Sequence, residues 1–141
     1  MNVVGAVLIQ GDEIILTKRS LQLPKYPGFY EFPGGKVESG ETLKEALKRE
    51  LSEELSIDVD LNNIQDFDNN VLKTDKFVLT IFIIKKWKKN IIINPEINSH
   101  ILYIKINEFV SFVDDDFKGL TNDGKLLETD KLLIPAILSA L

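Results

Sequence analysis

The 141-residue chain carries 17 basic and 22 acidic side chains, a formal net charge of −5 and 44% apolar residues. That length suits a single domain spanning residues 1–141 whose core needs no covalent staples, and the composition is that of a folded chain. The absence of cysteine excludes disulfides and thiolate metal sites, a lone His100 excludes multi-histidine centres, and the acidic balance argues against a nucleic-acid partner.

Val3–Ile9 is far too short for a bilayer and has no basic leader before it, so it reads as a buried strand of a chain without a membrane partner, expected in the cytoplasm. The Gly11–Asp12 turn signal joins it to a second strand, Glu13–Thr17. From Leu23 to Gly35 the residues Pro24, Pro27, Gly28, Pro33, Gly34 and Gly35 leave room only for a short strand at Phe29–Phe32. Thr42–Leu55 is predicted as a helix: Thr42 and Glu45 form a capping-box pair, and Leu43, Leu47, Leu51 and Leu55 make an apolar stripe at spacing four. Strand character returns at Ile57, with Phe77–Trp87, Ile91–Ile93 and Ile101–Ile106 as the following strands. Lys85, Lys86, Lys88 and Lys89 read as a solvated strand edge, and Asp114–Asp116 as an acidic loop. Asn107–Phe112 and Asp130–Ala140 are predicted helices, the second interrupted by Pro135.

The chemistry concentrates in Gly34–Ile57. On a helix at about 100° per residue, Glu50, Glu53 and Glu54 share one arc bordering the leucine stripe, where like charges repel. A carboxylate cluster at the edge of a core implies a hard divalent cation, and the glycine loop ahead of it lets backbone approach an anionic ligand closely. The G-x-x-x-x-G-K-[ST] phosphate loop is absent.

Gly35, Glu41 and the run Arg49-Glu50-Leu51-Ser52-Glu53-Glu54-Leu55-Ser56-Ile57 resemble the Nudix box, GX5EX7REUXEEXGU, with every charged position matched. Ser56 stands where that family has glycine, a position just past the helix that favours a left-handed backbone and costs serine ~1 kcal/mol. Thr17-Lys18-Arg19, Glu31-Phe32-Pro33-Gly34-Gly35 and the spacing of Asn107–Leu138 are similar to the MutT-like branch, the nucleotide-pool sanitising 8-oxo-dGTP diphosphatases.

The resemblance implies an α/β fold, the Nudix-type α/β/α sandwich with a mixed sheet. It implies Mg²⁺, with Mn²⁺ as a substitute, held by Glu50, Glu53, Glu54 and a carbonyl of Gly34 or Gly35, with Glu96 either an outlying fourth carboxylate or an exposed loop glutamate. One of the box glutamates Glu50, Glu53 and Glu54, with Glu50 and Glu53 as the catalytic candidates, would activate water, with Arg49 orienting them by ion pairing and Glu41 either a partner behind them or a helix-entry charge. The substrate residues implied are Arg19, Glu31, Phe32, Gly34 and Asp130. Arg19 is either a phosphate or base contact or an ordinary surface arginine; Phe32 either packs on the base or fills the core; Asp130 either reads the base edge or caps the last helix. His100 is structural. The expected reaction is hydrolysis of a nucleoside triphosphate, favouring 8-oxo-dGTP, to monophosphate and pyrophosphate by a monomeric enzyme. The alternatives are another nucleotide, such as a pyrimidine triphosphate or a dinucleoside polyphosphate, and a non-catalytic nucleotide sensor.

Overall fold

The computed structural model describes residues 1–119 and 124–141; residues 120–123, part of the C-terminal region that resembles the MutT-like branch by spacing, lie outside the described residues. The element order is β1 (Asn2–Gln10), β2 (Glu13–Arg19), β3 (Tyr30–Glu31), β4 (Gly34–Lys36), α1 (Leu43–Leu55), β5 (Ile64–Gln65), β6 (Val71–Lys73), β7 (Val78–Ile84), β8 (Asn98–Lys105), α2 (Phe109–Asp114), α3 (Glu128–Leu132) and α4 (Ile134–Ala140).

The sheet is mixed. β1 runs parallel to β7 and antiparallel to β2 and β4, so it is central and buried on both faces, which is why Val3–Ile9 is continuously apolar. Side chains of β1 alternate between two cores. Val4, Ala6 and Leu8 pack with Phe82 and Ile84 under Ala46, Leu47, Leu51 and Leu55 of α1. Val7 and Ile9 pack with Ile14, Leu16, Ile81 and Ile83 under Phe109 and Val113 of α2 and Ile134 and Ile137 of α4. Helices on both faces of a mixed sheet make the α/β/α sandwich that the resemblance implied.

The site is positioned by a fork in this sheet. β1 and β2 pair only near their turn, from Leu8↔Ile15 to Gln10↔Glu13. Beyond it they separate, and Tyr30–Lys36 fills the gap, pairing first with β2 (Thr17↔Glu31) and then with β1 (Val4↔Gly35, Gly5↔Gly34). This segment therefore lies under α1.

Helix α1 begins as predicted. The Thr42 hydroxyl accepts the Glu45 N–H at 3.1 Å, and the Glu45 carboxylate accepts the Thr42 N–H at 2.9 Å. It ends at Ser56 with φ of 60° and ψ of 19°, the left-handed conformation in which glycine would be unstrained.

Two expectations need correction. Ile91–Ile93 is not a strand: Ile92 and Asn94 donate their N–H groups to the carbonyls of Leu55 and Glu54, so this stretch wraps the end of α1 instead of joining the sheet. The segment Asp130–Ala140 is two helices, because Pro135 cannot continue a helix and instead sits in the first turn of α4. The four lysines after β7 are exposed, as expected of a solvated edge.

Candidate active site

Arg49 organises the outer part of the glutamate cluster. Its Nε and Nη2 donate to both carboxyl oxygens of Glu41 at 2.7 and 2.9 Å, and Nη2 donates to the Lys36 carbonyl at 3.0 Å. Its Nη1 lies 3.0 Å from Glu50, 3.3 Å from Glu53 and 3.7 Å from Glu38. One planar guanidinium thus fixes the relative positions of four carboxylates, which lysine, a point charge, cannot do. The bonds from Arg49 hold Glu41 below the usual carboxylate range, and the partnership pushes Arg49 up. Glu41 is therefore an anchor for Arg49, and its other contact, accepting the Glu38 N–H at 2.9 Å, ties down the loop into α1.

The inner part is drier. Burial pushes Glu50 up, against the pull of Arg49, and Glu53 and Glu38 add repulsion. Glu54 is 5% exposed, and one of its carboxyl oxygens, Oε2, has no hydrogen-bond partner. Burial, then repulsion from Glu31 and Glu50, pushes it up to about 9, although the Gly34 N–H and the Arg19 charge act the other way. Glu31 is also buried and pushed up by that burial, with Arg19 Nη1 at 3.1 and 3.3 Å from its two oxygens opposing the shift. Glu53 differs from its neighbours in the box: its side chain is 54% exposed, on the solvent side of Arg49.

The glycines are needed for close approach. A Cβ on Gly35 would lie 2.4 Å from the Glu50 carboxyl carbon, and one on Gly34 would lie 2.0 Å from the Val4 carbonyl oxygen. Gly34 therefore lets β4 dock on β1, and Gly35 lets Glu50 lie flat on that backbone.

The candidate substrate residues meet on the same fork. Arg19 is not a loose surface arginine: it is clamped on Glu31 and donates from Nε to the Lys25 carbonyl at 3.0 Å. Phe32 is buried with its ring 6.2 Å from that of Phe109, the core position of its two readings. Asp130 lies inside α3 and accepts the Phe32 N–H at 2.9 Å, which removes the helix-cap reading and ties the C-terminal helices to the glycine loop. It is 5% exposed, and burial pushes it up to about 7, with the Phe32 N–H opposing and the Glu31 charge adding to the shift. A pKa near neutrality departs from the fully ionised, acceptor-only aspartate assumed for base reading. Glu96 is exposed in the loop after β7, its N–H bonded to the Asn94 side chain, outside the hydrogen bonds of the cluster. His100 is exposed beside Ser99, away from these contacts.

The Asp130 shift has a measurable consequence. Its folded pKa is raised from 3.8, so its contribution to stability is complete below about pH 4 and is lost as pH rises through about 7. Asp130→Asn keeps an acceptor for the Phe32 N–H without the buried charge. The variant is expected to match the parent's Tm near pH 4 and to exceed it by at least ~3 °C at pH 8, read by thermal melts across pH. Equal Tm differences at both pH values would contradict a buried, titrating Asp130.

Among the described residues no three of these side chains converge as a ready-made metal centre. The donor chemistry nevertheless fits a hard divalent cation. Glu54 Oε2 is an unpartnered buried oxygen, and Glu31, Glu50 and Glu54 repel one another in a dry setting where added positive charge is strongly favoured.

Residues 1–119 match the family model described as "NUDIX domain". An 8-oxo-dGTP diphosphatase from Proteus vulgaris is 33% identical over 87 residues, 62% of this chain and 77% of the relative. A CTP pyrophosphohydrolase from Escherichia coli is 43% identical over 58 residues, 41% of this chain and 42% of the relative. The chain thus spans less than half the length of some of the curated relatives it matches. A crystal structure of a MutT NUDIX hydrolase from Burkholderia pseudomallei superposes with a TM-score of 0.73 at 19% identity, covering 96% of each chain, a likeness of fold.

Proposed function

The chain belongs to the NUDIX family, and we propose that it is a hydrolase of phosphoric anhydrides that converts a nucleoside triphosphate to the monophosphate and pyrophosphate with Mg²⁺, 8-oxo-dGTP being the favoured substrate. The observation that carries this reading is Glu54, a buried carboxylate with an unpartnered oxygen, crowded by Glu31 and Glu50. Such a group is costly unless positive charge arrives with the ligand.

In this reading Glu50, Glu53, Glu54 and a carbonyl of Gly34 or Gly35 hold the cation, with Glu96 as an outlying candidate. When bound, the metal neutralises phosphate charge and lowers the pKa of water. Glu50 and Glu53 are the candidate bases, since both lie on Arg49 Nη1, which sets their orientation. Arg19 exchanges part of its contact with Glu31 for a substrate phosphate, and Asp130 uses the carboxyl oxygen not given to Phe32 for the base edge. In this reading the protein is cytoplasmic, with the monomer its favoured state. A second reading, a pyrimidine triphosphate, draws support from the E. coli relative named for CTP.

A nucleotide panel of 8-oxo-dGTP, dGTP, CTP, dCTP and a dinucleoside polyphosphate, assayed for pyrophosphate release with Mg²⁺, Mn²⁺ or excess EDTA, tests the proposal. Monophosphate and pyrophosphate are expected with either metal and neither product in EDTA. Turnover in EDTA, or nucleotide binding without turnover, would overturn it.

A further inference from the structure

Lys85, Lys86, Lys88 and Lys89 follow β7, and their exposure is what a solvated edge would show. Yet no sheet edge lies there. At Ile84 the strand is flanked by Leu8 of β1 on one side and Ile64 of β5 on the other, so no open ladder needs guarding. Lys85, Lys86 and Lys89 instead line a groove of about 860 Å³ at the turn between β1 and β2, together with Gln10, Trp87 and Tyr103.

None of these three lysines makes an ion pair among the described residues. Asp58, tied to this loop by two backbone bonds with Lys88, gives its carboxylate to Lys48 at 2.7 Å and feels Lys89 through its charge alone. Like charges gathered without a counter-charge repel one another, and an arriving anion relieves that repulsion. The aromatic residues are unengaged as well: neither Trp87 nor Tyr103 has a ring or cation–π contact among the described residues. Tyr103 is exposed and stands opposite Ile15, whose side chain belongs to the α1-side core against which Trp87 is half-buried. Cross-strand partners share a face of the sheet, so both aromatics reach the groove from the α1 side.

Unpaired ammonium groups beside free aromatic surface, in a concavity the size of a small-ligand site, suit an anion with a flat apolar part. We propose that this groove is a second nucleotide site, in which Lys85, Lys86 and Lys89 hold the phosphates of a nucleoside di- or triphosphate and Trp87 and Tyr103 receive its base. It is separate from the carboxylate cluster. Gly34 and Gly35 pair with Gly5 and Val4 of β1, whereas the groove opens at Gln10. That places the two roughly 17 Å apart along the strand. They also differ in what they require: the glutamates repel a polyphosphate until a cation arrives, whereas the lysines attract it without one. The inference therefore goes beyond the reaction proposed above and does not depend on it.

The test is binding of dTTP and of inorganic pyrophosphate to the full-length protein in excess EDTA, where no turnover is expected. Trp87 is the only tryptophan of the chain, so its fluorescence reports occupancy of the groove, with calorimetry alongside. Both probes are expected to bind, dTTP with a change in Trp87 emission, and to weaken as salt is raised. Lys85→Gln combined with Lys89→Gln is expected to weaken both probes about tenfold. Tyr103→Ala is expected to weaken dTTP about tenfold and to leave pyrophosphate within about twofold, because only dTTP has a base to stack. Thermal melts near the parental Tm establish that the variants fold; if the double variant melts early, Lys86→Gln, expected to bind about threefold more weakly, decides. No binding in EDTA, or parental affinity in the lysine variants, overturns the site. Parental dTTP affinity in Tyr103→Ala overturns the base assignment. A single-stranded oligothymidylate that binds through the same lysines far more tightly than dTTP would make the groove a nucleic-acid channel and overturn the nucleotide reading. Lysine-dependent dTTP binding in a protein that hydrolyses no nucleotide would instead retire the proposed reaction and leave this inference standing.

Discussion

Glu54→Gln is expected to lower kcat by at least ~10²-fold in a protein that stays folded and, in EDTA, melts no lower than the parent. Glutamine has the same volume and keeps an acceptor for the Gly34 N–H that serves the Glu54 carboxyl. Glutamine is neutral without a proton, whereas the Glu54 carboxyl, pushed up to about 9, must take one up on folding near pH 7, so the metal-free fold is relieved while the metal and water chemistry is lost. Activity loss combined with unchanged or higher Tm is the signature of a charge retained for function. Lys44→Gln on the same helix, which makes a 4.0 Å ion pair with exposed Asp66, serves as the control and is expected to stay near the parental rate. A Glu54→Gln enzyme at parental rate would place the active site elsewhere.

Gly35→Ala is expected to cost about 10²-fold in kcat with a smaller effect on folding. The added methyl would lie 2.4 Å from the Glu50 carboxyl carbon and 2.6 Å from each oxygen, so the side chain must leave its place. That breaks its 3.0 Å contact with Arg49 and displaces a carboxylate by roughly an ångström, enough for a loss of this size. Gly34→Ala makes the opposite comparison. Its methyl meets the Val4 carbonyl at 2.0 Å, backbone against backbone in the pairing of β4 with β1, and neither side can rotate away. Its expected defect is in Tm and in soluble yield, with catalysis lost only as a consequence. Steady-state kinetics beside thermal melts distinguish the two; equal Tm losses in both variants would contradict the assignment of Gly35 to Glu50.

The sequence by itself determined whatever depends on neighbours a few residues apart. Helix α1 with its Thr42–Glu45 capping box, its leucine stripe and its left-handed end at Ser56 were all legible there, because caps and 3.6-residue periodicity are short-range properties. So were β1 and β2, whose apolar runs and intervening turn need no partner to be seen, and the carboxylates of the box with the arginine that pairs them. The tertiary structure alone decided what those carboxylates experience. The burial that isolates Glu54, the clamping of Arg19 on Glu31, and the bond from the Phe32 N–H to Asp130, 98 residues away, depend on elements brought together only by the fork between β1 and β2. The same holds for the two- and three-residue strands β3 to β6 and for the course of Ile91–Ile93. Such short pieces carry too little periodicity to declare themselves, and their backbone bonds are chosen by whichever edge lies within reach. Chain-local patterns can announce which groups carry charge, but their dielectric surroundings and partners come from distant segments, and those set the chemistry each charge can perform.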